Sequence, residues 1–371
     1  MDLSDYTFNP KLSQASTIPA RWYTDAAFLE AERRGVFGRT WQYVGQAGSL
    51  ATPGSYLACE VLGEPILVAR AKDDCLRAFS NVCRHRGAIL AEGSGQAPVI
   101  RCPYHAWTYS LDGRLLGQPE FEGVENWDRS QICLPQFQVE TWGPFVFVNQ
   151  DAQAPPLFEV LGAIPSEIAQ FGCPFGELRF SYRRDYVVNC NWKVYIDNYL
   201  EGYHLPAAHP SLMRELDYQQ YRVETFRYYS SHMAPIKSAS GSETRRYEFN
   251  DSSRNALYYW IFPNFMLNIY PDNLSSNLIL PLDADRTLTI FEWFAYSGDV
   301  AQATIDFSDE IQQEDIKVCE SAQRGLRSRN YNQGRFSVKR ENGVHHFHGL
   351  LNEYLAGQAL ACQSNSHPRS T

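Results

Sequence analysis

The strongest constraint on this 371-residue chain is a pair of short segments that each place a cysteine close to a histidine. Cys83 and His85 form a C-x-H pattern, and Cys102 and His105 form a C-x-x-H pattern. The 16 residues between His85 and Cys102 contain no further cysteine or histidine. Thiolate sulfur and imidazole nitrogen are common ligands of iron–sulfur clusters and of zinc. The spacing therefore predicts two loops that close around one metal centre.

Two kinds of centre use two cysteines and two histidines. In a Rieske [2Fe–2S] cluster the cysteines hold one iron and the histidines hold the other. A structural zinc site uses the same residue types, but a zinc finger pairs cysteine with cysteine and histidine with histidine along the chain. Here each segment mixes the two types, as it must if each loop supplies one ligand to each iron. The pattern favours the [2Fe–2S] cluster, with zinc as the alternative.

Bulk composition excludes several classes of function. The formal net charge of −9 argues against binding to a phosphate backbone, so we expect no nucleic-acid partner. No apolar run is long enough for a membrane span, and residues 1–5 lack the pattern of a signal peptide. The seven cysteines outside the paired segments are scattered, which is typical of reduced thiols. We therefore expect a cytoplasmic protein that does not associate with membranes.

Changes in the expected secondary structure along the chain predict three regions. Residues 1–40 form an N-terminal helical segment that packs on the C-terminal domain. Residues 41–150 contain short β segments and an Asp112-Gly113 hairpin turn, which indicate an all-β domain around the metal loops. After a turn-rich break, residues 151–371 combine strands with long helices, which indicates an α+β domain with an antiparallel sheet. The chain has no G-x-G-x-x-G fingerprint, so we expect no bound flavin or nicotinamide nucleotide.

The expected elements of the first and third regions follow from periodicity and capping. Asp25 is the expected N-cap of a helix that reaches residue 37. Further helices are expected at 158–170, 191–204, 304–328 and from Gly343 onward, and strands at 178–188, 223–231, 258–261, 265–270, 276–280 and 286–296.

A second metal site is indicated in the C-terminal region. Asp197, Glu201 and His204 are spaced at i, i+4 and i+7, so within the expected helix they line one face. His209 follows five residues after His204, beyond a proline that ends the helix. A turn there brings two imidazoles to one metal ion. The alternative is that the two histidines are unrelated surface residues.

The missing carboxylate is expected from the 304–328 helix. Asp315 falls on the apolar stripe of that helix, and an ionised aspartate on a buried face is costly unless it is paired or coordinated. Two histidines and one carboxylate form the facial triad of non-haem Fe(II) oxygenases, which leaves positions open for dioxygen. The competing interpretation is a buried salt bridge with Arg183 or Arg184. A one-electron store in the same chain favours the iron site.

From about Ile18 to Gly357 the chain resembles the α (oxygenase) subunit of Rieske non-haem iron ring-hydroxylating oxygenases. The resemblance is carried by the two cysteine–histidine segments, by Asn191-Trp192-Lys193 leading into the pattern from Glu201 to His209, and by Glu314-Asp315. Glutamate at position 201, where most aromatic-ring members have aspartate, resembles the choline, carnitine and glycine-betaine monooxygenase branch. The runs 320–326 and 345–348 resemble the same branch.

This resemblance implies roles for the candidate residues. His204, His209 and Asp315 would be the ligands of the mononuclear Fe(II), and Glu201 and Asp197 would be catalytic residues. Glu201 would hydrogen-bond both His204 and a cluster histidine of a neighbouring subunit, because the family assembles as homotrimers in which each cluster faces the iron of the next chain. The implied C-terminal fold is a helix-grip.

The resemblance also implies partners and a reaction. A separate NAD(P)H-dependent flavin and iron–sulfur reductase would supply electrons, and dioxygen would be the co-substrate. The expected substrate is a small quaternary or tertiary ammonium compound that is hydroxylated or oxidatively N-dealkylated. An aromatic ring hydroxylase or an O/N-demethylase is the alternative. A Rieske electron carrier with a non-catalytic ligand-binding domain is the third interpretation.

The substrate pocket is the least constrained prediction. A quaternary ammonium group is attracted to aromatic faces. Trp260, Phe265 and Trp293 are the candidate lining residues, drawn from the aromatic-rich strands of the C-terminal region. His345, His346 and His348 are interpreted as structural or interface residues, since no cysteine or carboxylate accompanies them in comparable spacing.

Overall fold

The computed structural model describes residues 2–237 and 255–364 and divides into two compact units. One unit is Phe37–Leu157, and the other joins Met1–Val36 to Phe158–Thr371. The N-terminal helices thus belong with the C-terminal segment, while the cysteine–histidine loops lie in the middle unit.

The middle unit contains only β-strands and short turns of helix. The strands are β1 (Gln42–Gln46), β2 (Ser55–Val61), β3 (Glu64–Arg70), β4 (Leu76–Ser80), β5 (Ser94–Gln96), β6 (Ile100–Arg101), β7 (Thr108–Tyr109), β8 (Leu115–Gly117), β9 (Gln136–Trp142) and β10 (Phe145–Asn149). Seven of them form a sheet in the order β1-β10-β9-β4-β3-β2-β5, and β6-β7-β8 form a second sheet. The predicted turn at Asp112-Gly113 connects β7 to β8, and Gly113 has a φ of +86° there. An all-β unit around the loops is confirmed.

The other unit is built on a seven-stranded antiparallel sheet in the order β11-β17-β16-β15-β14-β13-β12. The strands are β11 (Arg179–Val188), β12 (Arg222–Thr225), β13 (Tyr229–Pro235), β14 (Asn255–Ile261), β15 (Phe265–Ile269), β16 (Asn273–Pro281) and β17 (Thr287–Ala295). The predicted α+β class is confirmed. The single strand predicted over 223–231 is wrong, because the chain reverses after Thr225 and β12 pairs with β13 as a hairpin.

Nine helices of the described residues accompany this sheet. They are α1 (Ala20–Thr24), α2 (Ala26–Gly35), α3 (Leu157–Leu161), α4 (Ile164–Phe171), α5 (Trp192–Tyr199), α6 (Leu205–Ala208), α7 (Pro210–Glu215), α8 (Gln302–Leu326) and α9 (Asn342–Ser364). Asp25 caps α2 as expected, accepting a hydrogen bond from the amide of Ala27. The helix predicted over 158–170 is two helices, because Gly162 adopts a φ of +55° between α3 and α4.

Two interactions fix α5, which precedes the two candidate histidine ligands, and α8, which carries Asp315. Lys193 at the start of α5 forms a fully buried ion pair of 2.6 Å with Glu32 of α2. Removing only one partner of such a pair strongly destabilises a protein, because it leaves a buried charge without compensation. Ile305 of α8 packs in a cluster with Phe291 and Trp293 of β17. The first part of α8 therefore packs on the sheet, and further along the same helix the side chain of Asp315 is only 15% exposed.

Among the described residues, none of the helices combines the length and apolar character that a bilayer crossing requires.

Candidate metal centres and substrate cavity

The two cysteine–histidine loops have the same backbone conformation. The amide of Cys83 donates to the carbonyl of Ala88, and the amide of Gly87 donates back to the carbonyl of Cys83. In the second loop the amide of Cys102 likewise donates to the carbonyl of Trp107, and the amide of Ala106 donates to the carbonyl of Cys102. The fourth residue after each cysteine is left-handed, with φ of +73° at Gly87 and +59° at Ala106. Each loop thus presents its cysteine from the base of a tight turn.

The side chains of the two loops converge. Cys83 and Cys102 are both buried and unbridged. The rings of His85 and His105 have centroids 4.8 Å apart. The hydroxyl of Tyr109 lies 3.4 Å from the sulfur of Cys83. The two thiols thus lie beside each other and so do the two imidazoles, which is the pairing that the two irons of a Rieske cluster require.

Electrostatics at these loops suits a metal cluster. Burial raises the pKa of Cys83, and the neighbouring Cys102 thiol adds to the rise, so two adjacent thiolates need a cation to stabilise them. Burial and the nearby His105 lower the pKa of His85, which favours the neutral imidazole that binds metals. The buried Nδ1 of His85 has no hydrogen-bond partner among the described residues. These residues fit a [2Fe–2S] cluster.

A second convergence lies in the other unit, where α8 packs beside the 201–209 segment. His204, His209 and Asp315 are placed so that one potential ligand atom of each lies within 4.8 Å of the others. The two Nε2 atoms are 3.2 Å apart, and Oδ1 of Asp315 lies 3.0 Å from Nε2 of His209 and 3.6 Å from that of His204. The predicted triad residues are therefore together in space. Neither Arg183 nor Arg184 pairs with Asp315; their carboxylate partners are Asp185 and Asp309.

Each imidazole is held by a carboxylate on its other nitrogen. Nδ1 of His204 lies 2.6 Å from Glu201, and Nδ1 of His209 lies 2.7 Å from Glu314. Such partners fix the tautomer and leave Nε2 free to bind a metal. Burial lowers the pKa of His209, but hydrogen bonds to Asp315 and Glu314 outweigh it and raise that pKa overall. Two imidazoles among three carboxylates fit a divalent cation such as Fe(II).

Sequence reasoning gave Glu314 no role of its own and named it only within the Glu314-Asp315 pair. Its side chain is 24% exposed, and it reaches Nδ1 of the buried His209. Adjacent carboxylates on one helix are separated by about 100°, so Glu314 and Asp315 can hold the two nitrogens of one imidazole. A carboxylate next to a candidate ligand was the available signal.

The helix predicted over 191–204 ends at Tyr199, so Asp197, Glu201 and His204 do not share one helical face. Glu201 lies in the following bend, where its carboxylate accepts the backbone amides of Tyr203 and His204. Asp197 points elsewhere.

Asp197 belongs to a separate hydrogen-bond network. Its carboxylate accepts from the hydroxyl of Tyr23 at 2.6 Å and lies 3.0 Å from Nε2 of His348. Asn198, the next residue, donates to Asp315 at 2.7 Å. Consecutive residues of α5 therefore connect to different sides: Asp197 to the N-terminal segment and α9, and Asn198 to the candidate iron ligands.

A cavity of about 140 Å³ opens beside the three candidate ligands. Its aromatic lining is Tyr195, Tyr199, Tyr221, Tyr258, Tyr270, Phe291, Trp293 and Phe307. Trp293, one of the predicted pocket residues, is part of this lining. Trp260 and Phe265 are not: Trp260 packs against Phe347 of α9, with ring centroids 5.5 Å apart. Phe265 and Asn268 are three residues apart on β15, so their side chains lie on opposite faces of the sheet. Asn268 lines the cavity, and Phe265 therefore faces away from it.

Comparisons with known proteins place both units. Residues 40–128 match the Rieske [2Fe-2S] domain, and residues 175–357 match the catalytic domain of the ring-hydroxylating alpha subunit. The chain is 36% identical to the chloroplastic choline monooxygenase of Arabidopsis thaliana, over 94% of this chain and 85% of that protein. It is 33% identical to the carnitine monooxygenase oxygenase subunit of Escherichia coli K12, over 94% and 95%.

A solved structure gives the same result. A quaternary ammonium Rieske monooxygenase in complex with L-carnitine superposes with a TM-score of 0.80 at 31% identity, covering 94% of this chain and 99% of the other. The chain therefore belongs to the Rieske oxygenases, in which it is an oxygenase (α) subunit with an N-terminal [2Fe–2S] domain and a C-terminal catalytic domain.

Proposed function

We propose that this protein is the terminal oxygenase of a system that hydroxylates, or oxidatively N-dealkylates, a small quaternary or tertiary ammonium compound. The observation that carries the proposal is the opening of the His204, His209 and Asp315 group onto a cavity walled by aromatic rings. Dioxygen would be the co-substrate. A separate NAD(P)H-dependent reductase would supply the electrons, and this chain would bind no flavin or nicotinamide nucleotide itself.

The residues that would hold the two metal groups are those of the converging sets. Cys83, His85, Cys102 and His105 would hold the cluster, and the triad would hold the mononuclear iron. When bound, these groups supply single electrons and dioxygen activation. The chain's own contribution is to orient the imidazoles through Glu201 and Glu314 and to keep the ligand face of Asp315 fixed through Asn198.

An ammonium substrate suits the walls of the cavity. Tyr258 and Tyr270 both line the cavity as a nearly perpendicular pair, at 86°, with ring centroids 5.9 Å apart. Aromatic faces attract a methylated ammonium group, and the attraction grows when water is excluded. Glu201 and Asp315 add negative charge to the lining. The relatives named for choline and carnitine, both of which carry such a group, support this substrate class.

We infer that Glu201 connects the iron site to the cluster of a neighbouring chain. Its Oε1 lies within hydrogen-bonding distance of Nδ1 of His204, and its Oε2 accepts hydrogen bonds from two backbone amides. A carboxylate oxygen has two lone pairs, so Oε1 retains room for one more donor. We propose that this donor is His85 or His105 of a neighbouring copy in a homotrimer. The structure of a related quaternary ammonium Rieske monooxygenase, for which inter-subunit electron transfer is described, supports that arrangement.

The function is tested with purified holoenzyme, a generic Rieske reductase and NADH. We expect oxygen uptake and aldehyde release to depend on an added choline, carnitine or betaine compound. Uptake that occurs only with simple aromatic acids would overturn the ammonium assignment in favour of an aromatic hydroxylase. Total iron separates an oxygenase from an electron carrier: about three irons per chain are expected, whereas two would leave no catalytic metal.

The connecting role of Glu201 has its own test. Glu201→Gln retains the shape but accepts from one oxygen only. Because Glu201 also orients His204, the variant is assayed with its catalytic iron site saturated, and the rate of cluster reoxidation should then still be at least about tenfold lower than in the wild type. Glu310→Gln, an exposed site on α8, serves as the control. Reoxidation at the wild-type rate in Glu201→Gln would show that the carboxylate does not connect the two centres.

A further inference from the structure

The backbone bend that carries Glu201 is held at both of its ends by close contacts that involve a glycine. At one end, the ring of Tyr221 packs on Gly202 so closely that a Cβ at Gly202 would lie 2.8 Å from it. At the other end, a Cβ at Gly343, near the start of α9, would overlap the carbonyl oxygen of Leu200. Neither glycine has a positive φ, so both are needed for space and not for backbone conformation. The position of the bend therefore depends on what packs against it.

The ring of Tyr221 is itself anchored. Its hydroxyl lies 2.8 Å from Nδ1 of the buried His232, and Nε2 of that imidazole lies 3.1 Å from the hydroxyl of Ser230. Burial lowers the pKa of His232 to about 3, so the imidazole stays neutral and offers one donor and one acceptor to the two hydroxyls. The carbonyl of Tyr221 accepts a hydrogen bond from Arg340 at 3.2 Å. Held at its hydroxyl and at its backbone, Tyr221 presents a fixed surface to Gly202.

Tyr221 also lies beside the groups that serve the candidate iron site. It lines the cavity together with Glu201 and His204. Burial and the nearby Glu201 carboxylate raise the pKa of Tyr221, which keeps its hydroxyl protonated. The carboxylate of Glu201 is fixed by the amides of Tyr203 and His204, the two residues that follow Gly202. A displaced Gly202 would shift both donors, and with them the carboxylate and the imidazole beside it.

We infer that Tyr221 is a positioning residue: its anchored ring, packed on Gly202, holds the carboxylate of Glu201 in place. Through that carboxylate it also orients the imidazole of His204. The inference rests on the proposed function, in which Glu201 connects the two metal centres. Misplacing such a group by about 1 Å can slow a reaction about 100-fold. A ring that only lined the cavity would instead change substrate binding, so the two roles differ in what they affect.

The first test removes the ring. Tyr221→Leu keeps an apolar side chain but leaves Gly202 without its aromatic contact. Holoenzyme with a reduced cluster and a saturated catalytic iron site is mixed with dioxygen and with choline or carnitine, whichever supports faster oxygen uptake in the wild type. At saturating substrate we expect cluster reoxidation and kcat to be at least about tenfold lower than in the wild type, with KM changed by less than about threefold.

The second test crowds the same contact and serves if Tyr221→Leu does not fold. In Gly202→Ala the new methyl group meets a ring that cannot yield, so reoxidation should again be at least about tenfold slower. Tyr221→Phe keeps the ring but frees it from His232, and by itself it should slow reoxidation by no more than about threefold. In the double variant the freed ring can turn away from the methyl group. We therefore expect reoxidation at least about threefold faster than in Gly202→Ala alone.

The matched control is Gly349→Ala. A Cβ at Gly349 would lie 2.8 Å from the ring of Phe8, which is the same kind of clash within the same unit, and neither residue lines the cavity. This variant should lose stability but reoxidise its cluster within about twofold of the wild-type rate. If it slows as much as Gly202→Ala, general crowding explains the effect and the inference is wrong.

Other outcomes separate the inference from the proposed function. Reoxidation at the wild-type rate in folded, iron-saturated Tyr221→Leu or Gly202→Ala would overturn the inference. A rise in KM with kcat unchanged in Tyr221→Leu would also overturn it, because the ring would then only line the cavity. If Glu201→Gln is slow while these variants are not, the inference alone fails. If Glu201→Gln also reoxidises at the wild-type rate, the connecting role of Glu201 fails and the inference fails with it.

Discussion

The four candidate cluster ligands lie within the short stretch Cys83–His105, whereas the three candidate iron ligands extend from His204 to Asp315. In the first case two loops of nearly identical backbone conformation each supply one thiol and one imidazole. In the second, the two imidazoles flank the short helix α6, with His204 before it and His209 after it, and α8, about a hundred residues later, supplies the carboxylate. Both sets converge, but the first does so through local turns and the second through helix packing.

This difference predicts where each site is vulnerable. A loop that is closed by its own hydrogen bonds depends on the conformational preferences of a few residues. A site assembled from distant elements depends on every contact that holds those elements together, including the hydrogen bonds of Glu314 and of the buried His232. The four predictions below test this contrast, starting with the largest expected effect.

Removing one ligand should empty one centre and spare the other. Asp315→Ala should abolish turnover and lower total iron by about a third, while the visible spectrum of the cluster stays intact. Cys102→Ser should abolish that spectrum and leave about one iron per chain. Iron analysis and absorption spectra check both. An Asp315→Ala protein that still holds about three irons would show that the group is not the iron site.

Glu314 should act on the iron through His209. Glu314→Gln is expected to weaken iron binding about 10- to 100-fold, because the carboxylate that orients the imidazole is lost. The measure is the chelator concentration that removes half of the catalytic iron. Glu310→Gln, one turn earlier on α8 and bonded to Ser211, is the control and should bind iron normally. Equal retention in both variants would contradict the role of Glu314.

His232 should make the catalytic unit sensitive to acid. It is buried between Tyr221 and Ser230, and burial lowers its pKa to about 3. The folded protein therefore keeps His232 neutral, while the unfolded chain binds a proton below pH 6.5. The free energy of unfolding is therefore unaffected by His232 above pH 6.5 and falls progressively as the pH is lowered toward 3. At pH 5 the loss amounts to about 2 kcal/mol.

His232→Gln, which can keep both hydrogen bonds, should remove that loss. Urea titrations at pH 7 and pH 5 give the comparison: the fall in the free energy of unfolding should be about 2 kcal/mol smaller in the variant. The same fall in both proteins would mean that another group titrates in its place.

The smallest effect is expected in the cluster loops. Gly87 has a φ of +73° with open space where a Cβ would lie, so Gly87→Ala should lower stability by about 1 kcal/mol through backbone strain alone. Gly48→Ala also meets no neighbouring atom, and Gly48 lacks a positive φ, so it should be neutral or slightly stabilising. Equal stability of the two variants in urea would show that the loop conformation does not constrain position 87.

Sequence reasoning succeeded where the signal was local. The cysteine–histidine spacing, the Asp25 cap and the Asp112-Gly113 turn each depend on a few neighbouring residues. It failed where a break in an element changed the direction of side chains. The helix from Trp192 ends at Tyr199 instead of continuing to residue 204, so Glu201 reaches His204 from a bend and Asp197 joins a different network.

Facing direction across the sheet was the other source of error. An aromatic residue in a strand can face the cavity, the other side of the sheet or a covering helix, and composition does not distinguish the three. Trp293 lines the cavity, Trp260 lies under α9, and Phe265 points away. Asn268, Ser275 and Asn277, which line the cavity with uncharged polar groups, gave no signal in the sequence. They come from two strands and are brought together only when those strands pair.

The sequence by itself determined the two sets of ligand types, the two-part organisation and the family, because thiols, imidazoles and carboxylates at fixed short spacings allow few structures. Only the tertiary structure decided which carboxylate holds which imidazole and which aromatic rings line the cavity. Those properties depend on contacts between residues far apart in the chain, and such contacts are set by how strands register and helices pack, not by the spacing of residues along the chain.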